Sequence, residues 1–286
     1  MDMNLDIRPS PIAGQWYPGD ARRLSSSVDE YINAARLPVI EGQIIAAVVP
    51  HAGHVYSGPV AGYAFAALRG LTPELVVVIS PSHYPYPQAL LTTAHQAYTT
   101  PLGPVRVDEE SVQALDSALN AELGFGLSAV RRDPEHSLEI ELPFVQRTFL
   151  NEYRLLPVMV RDQSLRTVNG LGKALGTVLS GKNAILIAST DLSHFYTQKQ
   201  ANELDGELLR RVEAFDPEAV LNAEEEGVGF ACGRGAVAAV LWAAKALGAD
   251  KVSILHHATS GDVTGDTSEV VGYGAAVITR TLVATG

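Results

Sequence analysis

Histidines stand where apolar runs end. Ile44–Val49 is followed by His51, Leu75–Ser80 by His83, and Ala184–Ser189 by Asp191 and His194. Segments leaving a buried sheet usually exit into turn residues such as Asn, Asp, Ser or Gly, so imidazoles at these exits point to chemistry. In an open α/β sheet the carboxyl ends of the strands border the ligand crevice. Three parallel neighbours would therefore bring these side chains together. Imidazole binds zinc, copper and iron, and it moves protons near neutral pH. A single loop histidine is usually solvated or bonded to backbone; recurrence at three strand ends is what argues for a site.

Asp191 and His194 are spaced Asp-x-x-His, which puts them on one face if a helical turn begins there. A carboxylate so placed orients an imidazole and raises its basicity; the competing reading is that Asp191 or Ser193 caps the next helix. Cys232 lies in Gly229-Phe-Ala-Cys-Gly-Arg-Gly235, a glycine-flanked turn entering a helix. A free cysteine is commonly a small buried hydrophobe, but a helix N-terminus favours thiolate, hence a metal ligand or reactive thiol. Arg234 nearby would stabilise an anionic sulfur or an anionic ligand. Two histidines, one anionic group and open positions form the facial-triad pattern of non-haem iron, with copper or zinc also compatible. His54 is expected in a surface loop, with a second pocket position as the alternative, and His95 is expected at the surface. His256 and His257 end a strand beside Ser260–Asp266, and adjacent residues on an extended strand point oppositely, so at most one faces the crevice.

The elements that must position these residues alternate along the chain. Strands are expected over Ile44–Val49, Leu75–Ser80, Ala89–Thr93, Leu155–Val160, Ala184–Ser189, Val252–Leu255 and Val270–Thr279. Helices are expected over Ala21–Ala35, Val60–Leu68, Glu109–Ala121, Phe144–Asn151, Ser164–Leu179, Gln200–Val212 and Ala236–Leu247. Near-continuous rather than alternating apolar strands mean a sheet covered on both faces. The fold class is α/β, a single domain over residues 1–286 with a mostly parallel or mixed central sheet sandwiched between helices. Pro81–Pro87 is too proline-rich for a helix and reads as a rigid pocket wall.

With 286 residues, 47% hydrophobic and 19% charged, the chain can bury a sizeable core. Its net charge of −11 supplies no basic excess for a nucleic-acid backbone or an anionic membrane. No run reaches the length of a membrane span, Met1–Ile7 lacks the pattern of a signal peptide, and the one cysteine allows no intramolecular disulfide. A cytoplasmic location is expected.

Taken together, several motifs resemble the Memo family: Ala13-Gly-Gln-Trp-Tyr-Pro18, Pro50-His-Ala-Gly-His-Val-Tyr-Ser-Gly58, Ser80-Pro-Ser-His83, Glu135-His-Ser-Leu-Glu139, Ser189-Thr-Asp-Leu-Ser-His194, Cys232-Gly-Arg234 and Thr259–Thr267. They occur in order from about Arg8 to Arg280. The resemblance implies a fold like the LigB-type class III extradiol dioxygenases, which open catechol rings with Fe(II). It implies a metal site at His51, His83 and Cys232, with the catalytic candidates Asp191 and His194 in the same pocket, Asp191 orienting the His194 that would move a substrate proton. It also implies that His136 lies near that pocket with Glu139 in support, and that the ligand is a small aromatic molecule or a peptide. Bacterial and archaeal relatives are grouped with a radical-SAM protein and an AMMECR-like protein. His54 stands where the family usually has tyrosine, and Thr190 and Leu192 vary the setting of Asp191.

Two functions follow from different classes. One is a metal-dependent oxidoreductase of the extradiol-dioxygenase kind. The other is a non-enzymatic module that binds a ligand or peptide or handles a redox metal. Cys232 favours the second, because it falls where the dioxygenases carry a carboxylate, and thiolate is softer and more oxidisable. Metal-assisted hydrolysis is a third route. A Gly-x-Ser-x-Gly elbow and a P-loop are both absent from the sequence.

Overall fold

The longest apolar runs form the middle of the sheet, where both faces are covered. The computed structural model describes residues 5–282; the reading of the amino terminus at Met1–Asn4 lies outside these. In chain order the strands are β1 (Ile7–Arg8), β2 (Gln43–Val49), β3 (Leu75–Pro81), β4 (Leu90–Thr93), β5 (Ala97–Thr100), β6 (Gly103–Arg106), β7 (Ser128–Val130), β8 (Arg154–Val160), β9 (Ala184–Ser189), β10 (His194–Tyr196), β11 (Lys251–Thr259) and β12 (Val270–Arg280). The helices are α1 (Ala21–Ala34), α2 (His54–Leu68), α3 (Glu109–Leu123), α4 (Leu142–Thr148), α5 (Leu165–Leu179), α6 (Gln198–Glu213), α7 (Pro217–Asn222), α8 (Arg234–Ala246) and α9 (Ser260–Thr264).

The main sheet is mixed. Strands β2, β9, β3 and β8 lie side by side and parallel. Flanking them, β12 runs antiparallel to β2, and β4 antiparallel to β8. A long antiparallel ribbon joins β11 to β12, while β1, β5 and β6 make a separate small sheet. Successive side chains of a strand point to opposite faces, and the core divides accordingly. Val77, Ile79, Leu156, Val158 and Leu186 face one layer with α3, α5 and α8; Val76, Val78, Leu155, Ile185 and Ile187 face the other with α1, α2 and α4. Small residues let the first layer close: a Cβ at Gly172 would run into the Trp242 side chain, and one at Gly176 into Ala246. Both glycines are on α5 and both partners on α8, so the helices approach to backbone distance.

The seven expected strands and seven expected helices all occur, with shifted ends. The largest shift is α2, which starts at His54 and carries Pro59 inside it. Val55 and Tyr56 stand exposed in the turn that loses a donor to the proline, where solvent can satisfy the freed carbonyl. The sequence reading missed the small sheet, β7, β10, α7 and α9, pieces of two to six residues too short to show a period. His54 and His95 are buried, at 3% and 6% exposure, contrary to the expected surface position. Each has found a backbone partner: His54 Nε2 donates to the Ile140 carbonyl at 3.0 Å, and His95 Nε2 accepts from the Arg132 amide at 3.2 Å. Among the described residues no helix is long and apolar enough to cross a membrane.

Candidate metal centre

Because β2, β9 and β3 are adjacent and parallel, the residues after them leave at one edge of the sheet. Val49 pairs with Ser189 and Ile79 with Ala188, so His51, Asp191 and His83 emerge almost level. His136 joins them from the loop between β7 and a short 3-10 turn at Glu139–Glu141. Among the described residues, His51, His83 and His136 offer ligand nitrogens within 4.8 Å of one another. Their ring centroids lie 5.4 Å (His51–His83), 5.5 Å (His51–His136) and 4.7 Å (His83–His136) apart.

Two of the imidazoles are held by a hydrogen bond at Nδ1, which leaves their Nε2 for a metal. His51 Nδ1 meets Ser189 Oγ at 2.9 Å, and His83 Nδ1 meets Glu135 Oε1 at 2.9 Å. His136 Nδ1 lies 3.3 Å from the same Glu135 oxygen. His51 Nε2 sits 3.1 Å from Cys232 Sγ. Ser189 Oγ also lies 2.7 Å from both the Ser137 carbonyl and Glu141 Oε1. Burial pushes the Glu141 carboxyl well above the carboxylate range. A protonated acid there satisfies all three contacts at once, since the hydroxyl has one proton and two lone pairs.

Electrostatics favour the neutral ligand form. Burial, then the neighbouring His136 and His83, hold His51 well below its ordinary value. Burial likewise brings His136 down to about 4 and lowers His194. For His83 burial acts downward too, but the Glu135 carboxylate outweighs it and the net shift is upward. Burial works against Glu135, yet His83 and the amides of Ser137 and His83 hold it well below the usual carboxylate range. Three clustered imidazoles, two of them held neutral, are a donor set that suits zinc, copper or iron. The residues fit a metal.

Several expected partners are arranged differently. Asp191 Oδ1 accepts from the backbone amides of His51 at 2.7 Å and Ala52 at 3.2 Å, so it clamps the β2 exit. Burial raises its carboxyl to about 7 against those two bonds. His194 Nδ1 donates instead to the Leu192 carbonyl at 2.8 Å. The expected Asp191–His194 pairing fails because His194 opens a strand, where residues three apart do not share a face. His194 does line a cavity of about 430 Å³ with His83, Cys232 and Arg234.

Cys232 is half-buried, with its Sγ 3.1 Å from His51 Nε2, but is not in the group whose ligand atoms all lie within 4.8 Å. Burial first, and then the Asp191 carboxylate, push its thiol up, against the lowering expected at a helix terminus. Arg234 pairs with the Glu224 carboxylate rather than the sulfur. Glu139 is wholly buried and does not support His136: it accepts from Arg8 Nη1 at 2.5 Å, Tyr17 Oη at 2.7 Å and the Ser10 hydroxyl. The supporting carboxylate is Glu135, four residues earlier in the same motif. Spacing could not choose between them. Ser189, Glu141 and Trp16, whose ring lies tilted against His136 with centroids 4.1 Å apart, also carried no isolated signal.

An open α/β sheet gathers at its carboxyl edge three imidazoles that could hold a metal ion, with a thiol beside them. The sequence model described as Memo-like protein matches residues 8–277. A MEMO1 family protein of Nitrosopumilus maritimus is 36% identical, covering 94% of this chain and 98% of its own. Another from Methanopyrus kandleri is 34% identical over 96% of this chain and 99% of its own. The chain belongs to the Memo family. A crystal structure of an uncharacterized protein from Escherichia coli aligns with TM-score 0.54 at 11% identity, covering 82% of this chain and all of the other; that likeness concerns the fold.

Proposed function

We propose that this protein is a metal-binding Memo-family protein whose centre serves extradiol-dioxygenase-like oxidation of a small aromatic substrate. The observation that carries the reading is the triangle of His51, His83 and His136 nitrogens, with His51 and His83 anchored at Nδ1 and the Glu135 carboxylate 3.3 Å from His136 Nδ1. Those three residues would hold the cation, with Cys232 as a further ligand once a metal displaces its proton. A ferrous ion there supplies Lewis acidity and one-electron chemistry toward oxygen. The chain's own contributions are separable. His194 lines the adjoining cavity with Nδ1 committed to Leu192 and burial lowering its proton affinity. That leaves Nε2 to take a proton from a substrate hydroxyl. Asp191 fixes the backbone that delivers His51.

Anaerobic loading with Fe(II), elemental analysis and a catechol panel read by ring-opening absorbance test this. Stoichiometric iron in the parent protein and its loss in His51→Ala, His83→Ala and His136→Ala are expected. Iron retained by all three variants would refute the centre. The contact between Cys232 Sγ and His51 Nε2 favours a second reading, a redox-metal-handling module; fully loaded protein that leaves every catechol unchanged would select it.

A further inference from the structure

A second cavity, of about 570 Å³, opens beside the histidines. Its walls are the rings of Trp16, Tyr56, Phe195 and Tyr273. It adjoins the centre: Ala52 and Gly53, which follow His51, line it, the Trp16 ring lies against His136, and Phe195 also borders the cavity containing His83 and Cys232. Three of these rings face solvent, Phe195 at 72% exposure. Phe195 is held at φ 63°, in the left-handed region that bulky residues avoid, within an irregularity of the β10–β12 pairing. Backbone strain that presents an aromatic ring to water gives the fold nothing and suits a ligand.

The charge of this groove has one sign. Asp266 and Glu269 line it, and no lysine, arginine or histidine does. Neither carboxylate forms an ion pair among the described residues, and the Asp266 carboxylate is steadied by the Ser268 amide at 3.0 Å and hydroxyl at 2.6 Å. Aromatic faces beside unpaired carboxylates recognise a cation by ring quadrupole and by charge, and an anion is repelled.

We infer that this groove binds small molecules with an aromatic or apolar body and a protonated amine, the ammonium lying at Asp266 and Glu269 and the other end toward the histidines. That a catechol end would meet a metal rests on the function proposed above; the charge selection does not.

The test uses probes of one shape and opposite charge. Phenethylamine and hydrocinnamate are titrated by calorimetry into the full-length metal-free protein. The amine should bind about tenfold more tightly, as one cation–π contact plus a partly exposed ion pair would give. Asp266→Asn/Glu269→Gln, which keeps the Ser268 acceptor, should bring the two affinities together, as should Glu269→Gln in part; melting curves confirm folding. Equal affinities in the parent protein, no measurable binding of the amine, or a preference that survives the double variant would overturn the inference. Dopamine is then titrated with and without Fe(II). A dopamine affinity that iron leaves unchanged counts against catechol at the metal, while the phenethylamine preference stands or falls separately.

Discussion

Glu135 is the carboxylate on which two of the three imidazoles depend, and Glu135→Gln is the sharpest probe of the centre. Oε1 accepts from His83 Nδ1, the His136 amide and the Ser137 amide, each at 2.9 Å, and Oε2 accepts from the His83 amide at 2.5 Å. Glutamine keeps a single acceptor oxygen. Placed at Oε1, it leaves its NH₂ facing the His83 amide; flipped, it opposes three donors. The better orientation therefore strands one buried amide, at about 1–3 kcal/mol, and that penalty falls on the segments presenting His83 and His136. Loss of such a supporting partner typically weakens metal binding about 10- to 100-fold, or about 1.4–2.7 kcal/mol. The assay is metal titration against a chromophoric chelator at fixed pH, scaled to folded protein. Glu139→Gln is the control: a carboxyl just as buried, it accepts hydrogen bonds from Arg8, Ser10 and Tyr17 and from none of the histidines. It should lower the melting temperature and leave affinity alone. If Glu135→Gln binds metal like the parent, or Glu139→Gln weakens binding as much, the assignment of Glu135 as the anchoring carboxylate is wrong.

Three further outcomes are expected. Asp191→Asn should retain metal, because its Oδ1 can still accept from the His51 and Ala52 amides, whereas Asp191→Ala should lose it; equal retention by both would contradict the clamp. Burial lowers the His54 imidazole from 6.5 to about 4, against the opposing Ile140 bond. The unfolded chain therefore binds the extra proton across that window. Stability present above pH 6.5 is lost on acidification toward 4, by about 3 kcal/mol; His54→Phe should flatten this slope in urea melts at stepped pH. Gly272→Ala should destabilise by about 1–3 kcal/mol, since its Cβ would overlap Asp205 Oδ2, the acceptor of His257 Nε2 at 2.8 Å. An unchanged thermal midpoint would show that this packing yields freely.

What could be read from the chain by itself was whatever depends on local pattern. Unbroken apolar runs are absent from surfaces for a reason: seven consecutive buried positions in Leu75–Pro81 require cover on both faces, so β2, β3, β8 and β9 declared themselves and their sheet. Parallel neighbours must release their exits at one edge, which placed His51, His83 and Asp191 together before any contact was known. Side-chain direction is another matter, because it is set by partners far along the chain. Glu135 rather than Glu139 turns to His83, 52 residues away, while Glu139 is drawn to Arg8 across 131. Ser189 reaches His51 over 138, and Arg234 is taken by Glu224. Spacing along a motif tells which groups are near one another; which of them faces inward is decided by the packing of two helical layers on the sheet, and that information resides in contacts no short stretch contains.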